Sequence, residues 1–287
     1  MSMETRLAKN ATPFTRIEGA AQAVQLGKAE LPTYSTPGMS GSGFDQHITV
    51  FSPDGRLYQV EYAFKAIRTG GVTSLCIRGK DGVVVIAQRD CADILFDHSM
   101  DSSIFSISDN VSACVTGRPS DARAIVQRAR HEAGEYRYKW GHEMACDTLA
   151  RRMGDLAQVY TQKAWMRPFG VSLALFQVDP EKGPLLYRTD PAGYCVGFKA
   201  VAAGEKGAEV SAAVEKELKK WGKGESKPVE DCLQTGLKVM QTVLGNFIKG
   251  KDLEVLVARA GDKGSTSLER VEEERVDALL TEVAEAE

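Results

Sequence analysis

The chain has 287 residues, of which 43% are hydrophobic and 26% charged, proportions typical of an ordinary globular protein. Its formal net charge of −3 gives no overall attraction to nucleic acid or to an anionic membrane surface, and we expect neither as a partner. The six cysteines form no C-x-x-C pair and the glycines match no nucleotide-binding fingerprint, so we expect no metal and no other cofactor. Because the chain shows neither a membrane-length apolar run nor a signal-peptide core, we expect it in the cytoplasm and nucleus.

Residues 1–43 are rich in Ala, Thr, Ser, Gly and Pro, and we interpret them as a flexible N-terminal extension. The segment Ser52–Gly55 then predicts a turn, since Pro53 fixes φ and Gly55 tolerates a positive φ. An amphipathic helix that closes at Gly70–Gly71 should begin just after this turn. Its apolar residues recur at helical spacing: Leu57, Val60, Phe64 and Ile67.

The remaining elements follow from apolar periodicity and turn signals. Strands are predicted over residues 72–78, 83–88, 112–116, 171–178, 185–188, 194–198 and 253–258, the last of these being the final strand. Helices are predicted after Ser120 as the capping residue, over 147–160, from Val210 to Trp221 and from Leu233 to Phe247. The acidic tail 269–287 has a narrow apolar stripe and predicts a short packed helix.

This order of elements is strands, two helices, strands, two helices and a strand. A parallel, doubly wound sheet would require strict alternation of strands and helices, which the chain lacks. We therefore expect an α/β (α+β) protein with two stacked antiparallel sheets flanked by helices.

The twelve residues Ser52–Ala63 read Ser-Pro-Asp-Gly-Arg-Leu-Tyr-Gln-Val-Glu-Tyr-Ala and resemble the N-terminal motif of 20S proteasome alpha subunits almost letter for letter. The resemblance covers about residues 43–287 and continues through Tyr160–Gln162, Met166–Gly170 and Asp190–Tyr194. Within the family it looks closest to the eukaryotic alpha type-6 (alpha-1) subunit, on the strength of Phe44, Arg78–Asp81 and Gly197–Ala200.

The resemblance implies a four-layer α/β/β/α sandwich of the N-terminal-nucleophile hydrolase type with an added N-terminal helix. In this family, residues 44–71 correspond to the gate segment and helix, 72–268 to the sandwich and 269–287 to the C-terminal helix or tail. Met39–Phe44 is similar to the usual start of family members, which leaves open Met39 as the native start and the first 38 residues as upstream sequence.

The implied function is that of a non-catalytic structural and gating subunit in ubiquitin-dependent protein degradation. Its implied partners are other alpha subunits in a heteroheptameric ring, beta subunits beneath that ring, and regulatory particles or activators above it. A free-standing interaction module built on the same fold is a remoter alternative, and it would purify as a monomer.

Four residues match the family's gate cluster: Phe44, Asp45, Pro53 and Tyr62. Phe44 lacks the hydroxyl of the usual tyrosine, and Gln46 replaces the usual arginine, so we expect weaker gate contacts from this subunit. The residue pattern alone leaves open that Phe44 and Tyr62 are ordinary core or interface aromatics.

Proteolysis in the sister beta subunits uses an N-terminal threonine, a chemistry that needs a free N-terminus at the nucleophile. Val72 occupies that position here, so we assign no catalytic residue. The alternative is an active hydrolase that is processed to begin at Thr73. At Ser106, alpha subunits commonly have a lysine that captures the C-terminal carboxylate of activator tails, so we expect this pocket to bind such tails poorly or through other contacts.

Overall fold

Two five-stranded antiparallel sheets, stacked face to face, form the centre of the protein in the computed structural model. The structure describes residues 47–89, 95, 102–222, 226–245, 247–261 and 264–285. The predicted extension 1–43 and the gate residues Phe44 and Asp45 lie outside the described residues, as does Gln46.

The strands in chain order are β1 (Thr73–Arg78), β2 (Gly82–Gln88), β3 (Ile104–Ser106), β4 (Ser112–Gly117), β5 (Val171–Asp179), β6 (Gly183–Thr189), β7 (Cys195–Gly197), β8 (Ala200–Gly204), β9 (Leu253–Ala260) and β10 (Thr266–Arg270). The α-helices are α1 (Tyr58–Arg68), α2 (Pro119–Trp140), α3 (Cys146–Gln162), α4 (Gly207–Lys220), α5 (Val229–Leu244) and α6 (Glu273–Glu285). The first sheet has the order β10-β9-β2-β1-β8 and the second the order β3-β4-β5-β6-β7.

The strands at the centre of each sheet are buried on both faces. In β1, Leu75 and Ile77 pack with α4, α5 and α6 in one hydrophobic cluster, whereas Cys76 between them belongs to the cluster that separates the two sheets. There Cys76 lies beside Cys114 of the second sheet, and this contact together with burial raises the pKa of the Cys76 thiol well above its usual range. On the far side, α2 and α3 pack against Leu173 and Leu175 of β5. The layers are therefore α/β/β/α, as expected.

Most of the predicted elements are confirmed. The first two predicted strands form an antiparallel hairpin, β1–β2, from Ser74 opposite Ala87 to Arg78 opposite Val83. The predicted tail helix forms as α6, with Val276 and Leu280 buried.

Three expectations about element boundaries were wrong. Ser120 does not cap α2: Arg118 precedes the helix, and Pro119 takes the first helical position, where its missing N–H is not needed. Helix α5 ends at Leu244 because Gly245 leaves helical geometry with φ +115°, so Phe247 lies beyond it. Strand β10 follows the strand predicted to be last. Most of its residues are polar or exposed, so it lacks the apolar alternation that would have revealed it.

The turn that precedes β5 is held against the start of α2 by an ion pair. Both terminal nitrogens of Arg167 donate to the carboxylate of Asp121, at 2.7 and 2.8 Å, and the Gly170 N–H donates to the same carboxylate at 2.9 Å. The Asp121 side chain is only 6% exposed. Hydrogen bonds from Arg167, and then from Gly170, outweigh burial and lower the pKa of Asp121.

Gly204 is a position where the backbone leaves no room for a side chain. It pairs with Thr73 at the start of β1, has φ +109°, and a Cβ there would overlap the Val72 carbonyl oxygen. We expect Gly204→Ala to lower the free energy of unfolding by about 1–3 kcal/mol from backbone strain alone, with the overlap adding to that. Gly134→Ala is the matched control: it lies in α2 with nothing within 4 Å and should stabilise by about 0.5–1 kcal/mol. Urea unfolding of the full chain measures both, and equal effects would contradict the expectation.

The Asp121 ion pair predicts a pH dependence of stability. Because the folded-state pKa is below the unfolded value, the stabilisation is complete above the unfolded value, about 3.9, and is lost as pH falls through the lower folded-state pKa. Asp121→Asn should cost about 1.5–3 kcal/mol at neutral pH, the range of a hydrogen bond to a charged group. The difference in the free energy of unfolding between Asp121→Asn and the unmodified chain should shrink as the pH falls below about 3.9. Glu181→Gln, in the exposed β5–β6 turn, serves as the control, and a pH-independent difference would refute the assignment.

Candidate gate segment and subunit surface

The turn at Ser52–Arg56 forms as predicted. The Ser52 N–H donates to the Arg56 carbonyl at 2.9 Å, and the Gly55 N–H donates to the Ser52 carbonyl at the same distance. The Ser52 hydroxyl accepts a further bond from the Arg56 N–H at 3.1 Å. Pro53 lies exposed at the tip of the turn. Its own ring fixes φ, so no buried contact is needed to hold it in the turn.

A chain of side-chain contacts runs from this turn to Tyr62. Arg56 forms a bidentate pair with Glu61, at 3.0 and 2.6 Å, and its guanidinium carbon lies 4.9 Å from the centre of the Tyr58 ring. Tyr58 in turn stacks on Tyr62, with ring centres 6.4 Å apart and planes 30° from parallel. The bond from Arg56 lowers the pKa of Glu61, but the pair is exposed and adds little stability. These contacts orient Tyr62, which is 45% exposed.

Helix α1 lies across one end of the sandwich. Its buried residues are Val60, Ala63 and Ile67. Of the predicted apolar stripe, Val60 and Ile67 are therefore confirmed, whereas Leu57 lies just before the helix and Phe64 is only half-buried. The helix contacts β8 of the first sheet and β4 and β5 of the second. It therefore spans both sheets at the end where β1 begins.

The segment before the turn is fastened to the body of the protein at Thr49. The Thr49 N–H donates to the Ala164 carbonyl at 3.1 Å, and its hydroxyl donates to the Met166 carbonyl at 3.0 Å. Thr49 is buried, and the segment that it contacts leads directly into the turn held by Arg167 and Asp121. Thr49 was not predicted as a functional residue, because a single threonine in a short polar stretch has no pattern that marks it.

Of the four predicted gate residues, only Pro53 and Tyr62 fall within the described part of the chain. Both are exposed, and the ring contact described for Tyr62 is with Tyr58. Large apolar side chains are also exposed on the two segments that Thr49 joins: Phe51, Trp165 and Met166. Exposed apolar side chains of this size are common where another protein packs.

The position at which the resemblance predicts the counterpart of the beta-subunit nucleophile lies inside the sandwich. Val72 is half-buried, and Thr73 is fully buried within β1. The Thr73 hydroxyl accepts a hydrogen bond from the Lys206 N–H at 3.3 Å. Beside it, the hydroxyls of Ser74 and Thr116 are hydrogen-bonded to each other across the two sheets. These residues form a buried, hydrogen-bonded contact between the two sheets.

Ser106 ends the edge strand β3 and is exposed. Its hydroxyl donates to the Ser108 carbonyl at 3.3 Å. Its own carbonyl accepts two hydrogen bonds from the Arg130 guanidinium, at 3.0 and 2.8 Å. A cation from α2 therefore lies beside Ser106, although Ser106 itself is neutral. This contact was not predicted, since residues 24 apart show no pairing signal in the sequence.

No cluster of three or more His, Cys, Asp or Glu side chains in the described part of the chain is arranged to hold a metal ion. None of the helices in the described ranges combines the length and apolarity needed to cross a membrane.

Comparison with known proteins agrees with this geometry. Residues 67–258 match the family model described as "Proteasome subunit". Residues 44–66 match a second model, described as the N-terminal signature of the A-type proteasome subunit.

Three relatives match over most of their length. The probable alpha type-1 proteasome subunit of Schizosaccharomyces pombe is 45% identical over 243 residues, covering 85% of this chain and 97% of the relative. The alpha type-6 proteasome subunit of Caenorhabditis elegans is 40% identical, with 85% and 97% covered. The archaeal alpha proteasome subunit of Methanocaldococcus jannaschii is 36% identical, with 84% and 88% covered.

The N-terminal signature, the relatives and the closed position at Val72 and Thr73 agree that this is not a hydrolase processed at Thr73. The chain belongs to the proteasome alpha-type subunits, the non-catalytic ring subunits of the 20S core, and its partners lie within the proteasome complex.

Proposed function

We propose that this subunit contributes to the gate over the pore of a heteroheptameric alpha ring and controls substrate entry in ubiquitin-dependent degradation. The observation that carries the proposal is the attachment of Thr49, which fixes the point from which the preceding residues extend. Beta subunits lie beneath the ring and regulatory particles or activators above it, in the cytoplasm and nucleus. A gate segment must be attached at one end to the body of the subunit, and Thr49 provides this attachment.

The gate cluster of this proposal consists of Phe44, Asp45, Pro53 and Tyr62. Support comes from the chain of contacts that begins at Arg56, because it holds the Tyr62 ring at the surface beside the turn that carries Pro53. Phe44 offers an aromatic ring to such a cluster but no hydroxyl, so the open state gains one hydrogen bond less than a tyrosine would provide.

The proposed domain limits are those expected from the sequence. They are the extension 1–43, the gate segment and N-terminal helix 44–71, the sandwich 72–268 and the C-terminal helix or tail 269–287.

The activator pocket of this subunit is proposed to lie at Ser106. Its neutral side chain argues for weak binding of a terminal carboxylate, but the Arg130 guanidinium brings a positive charge to the same place. Two of its N–H groups are directed to the Ser106 carbonyl, so a carboxylate must share or displace these bonds. We therefore propose a pocket that binds activator tails through Arg130, and less tightly than a lysine-bearing pocket.

Thr49→Val tests the gate. It removes the hydroxyl bond to Met166 and keeps the side-chain shape, so about 1 kcal/mol of the attachment is lost. In purified particles without activator, we expect hydrolysis of a short fluorogenic peptide to rise up to about fivefold, the factor that ~1 kcal/mol corresponds to. Thr242→Val is the control, because its hydroxyl donates to a carbonyl within α5, away from this segment. Equal rates in the two variants would contradict the gate role.

Ser106→Lys and Arg130→Ala test the pocket. A peptide with an activator C-terminus and a free carboxylate should bind at this pocket about tenfold tighter in Ser106→Lys, for the ~1.4 kcal/mol of a charge-assisted bond. Arg130→Ala should weaken binding, whereas Arg123→Ala, two helical turns earlier on α2, should not. Cross-linking of the peptide at this pocket measures occupancy. If the unmodified pocket binds as tightly as Ser106→Lys, the proposal of a weak pocket is wrong.

A further inference from the structure

The sequence contains two Asp-Gly pairs, Asp54–Gly55 and Asp81–Gly82. In such a pair the backbone nitrogen of the glycine can attack the side-chain carboxyl of the aspartate, because glycine has no Cβ to hinder the approach. The reaction needs a carboxyl that is free to turn and a glycine backbone that is free to follow it. The structure gives the two pairs opposite surroundings.

Asp54 and Gly55 are both exposed, at the tip of the turn that precedes α1. Within the described residues, the Asp54 carboxylate accepts no hydrogen bond. A Cβ placed on Gly55 would meet no atom within 4 Å, so the space beside its backbone is open. The Gly55 N–H donates to the Ser52 carbonyl at 2.9 Å. Because the turn is exposed, water can replace this bond when the backbone rotates.

Asp81 and Gly82 are held in place by the fold. The Asp81 carboxylate accepts the Val229 N–H at 2.8 Å, at the start of α5. Gly82 is buried, begins β2 and lies opposite Arg259 of β9. A Cβ on Gly82 would overlap the Ala258 carbonyl oxygen and lie 2.9 Å from a methyl carbon of Val229, so no space is left there. An attack would have to break the bond to Val229 and displace the end of the strand.

We propose that Asp54 is a site of spontaneous isomerisation to isoaspartate, whereas Asp81 is protected by the fold. The Gly55 nitrogen bonds to Asp54 Cγ and loses its proton, and one carboxyl oxygen leaves as water, which closes a five-membered succinimide ring. Water then adds to the main-chain carbonyl carbon of Asp54, and the bond from that carbon to the Gly55 nitrogen breaks. The product has a free α-carboxylate, and its chain runs through Cβ and Cγ. Nothing is oxidised or reduced, and the mass is unchanged.

The product alters the turn that precedes α1. One extra backbone atom, the former Cβ of Asp54, enters the chain between Ser52 and Arg56. The Ser52 N–H donates to the Arg56 carbonyl at 2.9 Å, and the Arg56 N–H donates to the Ser52 hydroxyl at 3.1 Å. Both bonds span the altered peptide, so both lose their geometry, and Arg56 moves from the position in which it pairs with Glu61. The free α-carboxylate is also the group that an isoaspartyl carboxyl methyltransferase methylates.

Ageing of purified particles at neutral pH and physiological temperature tests the proposal. Peptide mapping with electron-transfer fragmentation locates the isoaspartate, and an isoaspartyl methyltransferase with a radiolabelled methyl donor quantifies it. We expect isoaspartate to accumulate at least about tenfold faster at Asp54 than at Asp81, because the charge-assisted hydrogen bond of Asp81 must break before it reacts. In concentrated urea, where the fold no longer protects Asp81, the two rates should become similar.

Two variants complete the test. Asp54→Glu keeps the charge but would need a six-membered ring, so it should give no product at this position. Asp54→Asn reacts through the same five-membered ring with loss of ammonia, and should react faster, since a neutral amide is a better electrophile than a carboxylate. Equal accumulation at the two aspartates in folded particles, or none at Asp54 in the unmodified chain, would overturn the proposal. Peptide hydrolysis is not measured, so the result is independent of the gate proposal.

Discussion

The fold depends on the burial of its central strands on both faces. In β1 and β2, successive side chains alternate between the helix layer and the space between the sheets, and nearly all are fully buried. Each large aliphatic side chain buried in this way contributes about 1.5–3 kcal/mol. Because the two faces of these strands pack against different neighbours, a one-residue shift in register would exchange the two apolar sets and disrupt the packing against both the helices and the second sheet. The packing of these strands therefore fixes the positions of the strand ends against which α1 packs.

The surface features are attached to that fixed end by a few polar contacts. Asp121 and Arg167 hold the turn before β5, and Thr49 holds the N-terminal segment to the residues that lead into that turn. The attachment is a buried threonine close to an ion pair whose carboxylate, that of Asp121, is buried. At the same end, Thr73 and Ser74 are hydrogen-bonded inside the structure.

The elements with strong periodicity, and the family, could be predicted from the sequence, whereas long-range contacts could not. The α1 stripe, the hairpin and the tail helix follow from apolar spacing alone. Strands β3 and β10 were missed because they are short edge strands in which polar residues weaken the alternation. Strand β8 was missed because its sequence, Ala-Val-Ala-Ala-Gly, is made of small residues with no alternation at all. The pairing of Ser106 with Arg130 joins residues 24 apart, and that of Thr49 with Met166 joins residues 117 apart. Only the folded chain brings them together.

The pair Cys76 and Cys114 has a consequence for the chemistry of the subunit. Thiols react with peroxides and alkylating agents as thiolates, and burial between the sheets keeps Cys76 protonated. Cys146 is shielded in the same way by burial, whereas Cys195 is only half-buried. Partial burial also raises the pKa of Cys195, but it is the one described cysteine that is not fully buried, so oxidation should begin there and spare the sheet interface.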